Sequence, residues 1–104
     1  MNRFTRSSSP RVAFVSVSEP LDHAVRAAAC GDREHMDHVA RILHPRLVDE
    51  AMRRLGRHAR RADAEDIVQD LFLAMLEGKV FPPDARQDAV AWLIRLVATF
   101  VPPR

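Results

Sequence analysis

The densest chemistry in this sequence lies in Asp63-Ala64-Glu65-Asp66-Ile67-Val68-Gln69-Asp70-Leu71-Phe72-Leu73. On a helix, at about 100° per residue, Ile67, Val68, Leu71, Phe72 and Met75 fill one continuous face. The opposite face holds Glu65, Asp66, Gln69, Asp70 and Glu77. Leu73 falls in the middle of that polar face and cannot reach the core that Leu71 and Phe72 reach. A single exposed leucine is ordinary on a soluble protein. The other reading is an apolar anchor ringed by acids and an amide, which suits a basic partner helix.

Just upstream, Arg53, Arg54, Arg57, His58, Arg60 and Arg61 crowd one stretch. A basic block against an acidic one suggests two faces with different partners, nucleic acid and protein; a plain solvated surface is the alternative. Catalytic and metal chemistry find less footing. His35 and His38 stand at i, i+3 beside Glu34 and Asp37, but no motif recruits His23, His44 or His58 to complete a metal site. Cys30 sits in an alanine run beside Gly31 with no paired histidine or acid. No glycine-rich phosphate loop exists. The expectation is a non-enzyme without metal or cofactor.

The elements that must carry these residues read as helices. Leu21, Ala24, Val25 and Ala28 recur at helical spacing from Pro20, with Gly31 as a stop. Asp32 caps a second helix, whose period runs through Met36, Val39, Ile42 and Leu43. Pro45 predicts a break or kink at His44. Leu47, Val48, Met52 and Leu55 then lead to Gly56, a helix terminator. Asp63 is the expected cap of the acidic helix, with Asp66 in the capping-box position and Gly78 as the stop. Asp84 and Gln87 offer a second capping pair. Ala89, Leu93, Leu96, Val97 and Phe100 line one stripe of the last helix, which Pro102 and Pro103 end.

The expected fold is therefore all-α: a compact bundle of three main helices plus a short leading helix. Residues 1–19 read as a disordered tail, with Val12–Val17 a strand candidate that lacks a partner. Residues 20–33 form the leading helix and turn, and 34–104 the helical domain. The main helices are expected over 34–57, 63–77 and 85–100, packed through Ile42, Leu47, Ile67, Leu71, Phe72, Leu93 and Leu96. One domain is all that 104 residues allow. A single cysteine excludes an internal disulfide framework. No apolar run suits a membrane span, and the N-terminus lacks a signal-peptide core, so the chain reads as cytoplasmic.

The acidic-helix segment resembles the second conserved segment of bacterial sigma factors, the helix that grips RNA polymerase. Leu43-His44-Pro45-Arg46-Leu47, followed by Arg53-Arg54-Leu55-Gly56, looks like the family's preceding helix. Ala91-Trp92-Leu93-Ile94-Arg95-Leu96-Val97-Ala98 looks like the start of its promoter-melting helix. Order and spacing over residues 34–100 are similar to region 2 of the extracytoplasmic-function branch of the sigma-70 family.

The resemblance implies roles. Glu65, Asp66, Gln69, Asp70 and Leu73 would face the clamp helices of the polymerase beta-prime subunit. Trp92, Leu93 and Arg95 would begin the segment that meets the promoter −10 element, where the family captures unpaired bases. By charge alone, and not through the resemblance, Arg53, Arg54, Arg57, Arg60 and Arg61 would attract DNA phosphates. Thr99 stands where the family has an asparagine, and Phe100-Val101-Pro102-Pro103-Arg104 ends the chain. Region 2 alone, cut short, is the expectation. It is either a transcription initiation factor domain or a remnant that binds polymerase or an anti-sigma factor without reading promoters. A generic helix-turn-helix DNA binder fits poorly, because the last helix is too apolar for a recognition helix.

Overall fold

The computed structural model describes residues 18–103. Among them are four helices and no strand: α1 (Ser18–Ala29), α2 (Arg33–Leu55), α3 (Arg61–Leu76) and α4 (Ala89–Phe100). The Val12–Val17 strand candidate and most of the expected tail lie outside the described residues. Helix α1 begins at Ser18, two positions inside the span assigned to that tail.

The turns between helices follow from a few residues. At the α1 end, Asp32 N–H donates to the Ala27 carbonyl and Gly31 N–H to Ala28. At the α3 end, Lys79 N–H donates to Ala74 and Gly78 N–H to Met75. Both are Schellman closures, and both need a left-handed residue, supplied by Gly31 at φ 95° and Gly78 at φ 72°. Asp32 caps α2 as expected, its carboxylate accepting from His35 N–H at 3.1 Å. Gly56 is the C-cap of α2, one residue inside the expected end.

Three local expectations are corrected. Helix α2 runs through Pro45 without a break. The proline forfeits one backbone bond and crowds the preceding turn, at a cost of about 3 kcal/mol. Leu43, Leu47 and Val48 on either side are fully or almost fully buried, each worth roughly 1.5–3 kcal/mol, so their burial outweighs the proline. Asp63 is not the cap of α3; the helix starts at Arg61, with Arg60 in the cap position and no side-chain cap bond. Asp84 and Gln87 do exchange hydrogen bonds, but they close a turn. Helix α4 starts later, at Ala89, capped by Asp88 through Ala91 N–H at 3.0 Å.

Each helix packs against the other three. The core is aliphatic, with Val25, Val39, Leu43, Leu47, Val48, Val68, Leu71, Met75, Leu93 and Val97 fully buried or nearly so, and no buried polar side chain among the described residues. Helix α1 contributes Ala24, Val25, Ala28 and Ala29 to this same core. Three expected core positions differ. Ile42 is 49% exposed, because it lies on the side of α2 that no helix covers. Phe72 and Leu96 are only partly buried, packed at the core edge.

Candidate protein-binding face

Helix α3 is held by Ala64, Ile67, Val68, Leu71 and Met75, all buried. That contact fixes its rotation and turns the opposite side outward. Glu65, Asp66, Gln69, Asp70 and Leu73 are all exposed. Leu73 is 48% exposed, at the centre of the polar face as the wheel predicts. Glu65 lies 3.4 Å from Arg61 one turn back. Asp66, Gln69 and Asp70 make no side-chain hydrogen bond or ion pair with the described residues. Two carboxylates and an amide thus surround an apolar side chain with their hydrogen-bonding capacity unspent.

Beside this face, Ala40 and His44 of α2 and Glu65, Gln69 and Phe72 of α3 line an open groove of about 440 Å³. Sequence reasoning missed the α2 side of it. The one available signal was the position of Phe72, well off the centre of the apolar stripe. With Phe72 as its wall and Glu65 and Gln69 shared with the polar face, the groove extends that face toward α2.

The basic stretch is less free than its composition suggests. Glu50 takes both Arg53 and Arg54 at 2.6 Å. Hydrogen bonding to Arg53, then to Arg54, holds its carboxyl below the usual glutamate range despite partial desolvation. Arg60 lies 3.6 Å from Asp63. Arg57 is exposed and makes no ion pair with the described residues. Of the α4 candidates, Arg95 is exposed, whereas Trp92 is 9% exposed and belongs to the core. The Trp92 ring is therefore a packing group here and offers no open face on which a base could stack.

His23 and His35 meet edge to face at 5.2 Å, and His35 Nδ1 lies 3.1 Å from Asp32 Oδ1. No three metal-ligating side chains converge among the described residues. No described helix is long and apolar enough to cross a membrane. No family model matches the chain, and neither a curated protein nor a solved structure matches it.

Proposed function

We propose that the chain is a transcription initiation factor domain of the sigma region 2 type, whose exposed α3 face binds the clamp helices of core RNA polymerase. The observation that carries this reading is Leu73, 48% exposed, set among the unpaired Asp66, Gln69 and Asp70. Such a patch fits a basic helix: the acids steer and pair with its cations, the amide hydrogen-bonds, and the leucine gives a dehydrated centre. The resemblance of Asp63–Leu73 and its flanking segments to the sigma family supplies the identity of the partner. The role is one of binding and not of catalysis.

A second reading is a module that occupies polymerase or an anti-sigma factor without recognising promoters. Its support is the burial of Trp92 and the pairing of Arg53, Arg54, Arg60 and Arg61 within the chain. Both leave the −10-element contacts with fewer free groups than the family role requires. Equilibrium binding to core polymerase tests the first reading and the polymerase-occupying form of the second. The chain is expected to bind and to be displaced by a complete sigma factor; binding that a complete sigma factor does not displace contradicts both. In vitro transcription separates the two readings, since the second predicts no initiation by the chain alone.

A further inference from the structure

We propose that α1 is a positioning element for the loop between α3 and α4 and for the first turn of α4, acting through Asp22 and Arg26. The Arg26 guanidinium reaches three acceptors. Its Nε donates to Asp22 Oδ2 at 2.8 Å, one terminal nitrogen donates to the Asp84 carbonyl at 2.8 Å, and the other donates to the Gln87 carbonyl. The second Asp22 oxygen accepts from Ala89 N–H at 3.0 Å. One carboxylate therefore orients the guanidinium and also binds the opening residue of α4, beside the cap that Asp88 makes.

Asp84 and Gln87 lie in irregular backbone: the Asp84 carbonyl accepts the Gln87 N–H at 3.2 Å within its turn, while the Gln87 carbonyl accepts no backbone N–H among the described residues. The planar fork of arginine can bind both carbonyls while held by a carboxylate, which a lysine cannot. The same loop carries Phe81, 91% exposed, and Pro83, which is buried. Helix α1 lies outside the sigma-like segment 34–100, yet it holds both the loop and the N-terminal turn of the helix that the resemblance gives to DNA. This coupling holds whatever binds the α3 face.

Trp92, the single tryptophan, gives a local reporter, because it lies in the first turn of α4, where its backbone N–H donates to the Asp88 carbonyl at 2.8 Å. In the 104-residue chain, tryptophan fluorescence and far-UV circular dichroism are expected to report one unfolding transition in urea. In Arg26→Met the fluorescence change should precede the loss of helix. Hydrogen exchange at Gln87 and Ala89 should rise roughly tenfold or more, with α2 and α3 amides unchanged. Arg26→Lys should behave like Arg26→Met, since charge without the fork no longer ties the Asp84 and Gln87 carbonyls together to Asp22. The milder Asp22→Asn should move the Gln87 amide in the same direction while its retained carbonyl oxygen still protects Ala89. Coincident transitions in Arg26→Met and Arg26→Lys overturn the proposal, as does exchange that rises evenly over all helices.

Discussion

Leu71 and Phe72 are neighbours in sequence and differ in what truncation removes. Leu71 is fully buried, and Leu71→Ala is expected to cost about 2–5 kcal/mol. Phe72 lies half-buried on the groove wall, so Phe72→Ala should cost less than the roughly 3–5 kcal/mol of a fully buried aromatic. Urea unfolding of the two variants checks the order; a larger loss for Phe72→Ala would put it in the core. Asp22 supports a pH prediction. Its hydrogen bond to Arg26 first, and then the Ala89 amide, lower its pKa below the ordinary 3.8 despite some desolvation. A carboxyl depressed in the folded state stabilises fully above its unfolded-state pKa, and that contribution is lost as pH falls through the folded value. Asp22→Asn should therefore lose stability at neutral pH and converge with the parent chain below the folded pKa, as measured by urea midpoints across the acid range. At this scale the exposed Leu73 was legible, because helical spacing alone places it opposite Leu71. The exposure of Ile42 was not, because it depends on which sides of α2 the other helices cover. The burial of Trp92 was not legible, because the apolar stripe of the last helix was drawn without it and only the family resemblance gave it a role, toward DNA.

The helices are set by their ends and by tertiary contact, and the two contributions separate at particular positions. Gly78 has φ 72° and nothing within 4 Å of the place a Cβ would occupy. Gly78→Ala should thus cost only the left-handed backbone penalty, about 1–2 kcal/mol, read as a lower Tm with an unchanged circular dichroism spectrum. A neutral substitution there would mean that the Schellman closure does not hold the end of α3. Asp32 and Gly31 made the α1–α2 turn readable, since a capping side chain and a left-handed residue act locally. Pro45 misled for the opposite reason: its penalty is local, while the burial that offsets it comes from α1, α3 and α4. Asp63 misled because Arg61 and Ala62 extend the helix toward its N-terminus, leaving the aspartate inside the first turn, where it still suits the dipole.

At the scale of the molecule, charge is arranged along the chain as blocks but spent in space as pairs. Glu50 binds two arginines of the basic stretch, and Asp63 and Glu65 face two more. DNA affinity should accordingly be weak, independent of sequence and reduced by salt; Arg57→Ala should lower the log–log salt slope by about one. An undiminished slope would show that Arg57 does not meet phosphate. The acidic side of α3 is different, because Asp66, Gln69 and Asp70 remain unspent around Leu73. The α3 face is tested most directly by the affinity of Gln69→Ala/Asp70→Lys for core RNA polymerase, beside its circular dichroism spectrum and urea midpoint. Both positions are exposed, so the variant should keep its helical spectrum and near-parental stability while losing detectable binding. A folded variant that binds core polymerase as tightly as the parent chain would contradict the assignment of the α3 face.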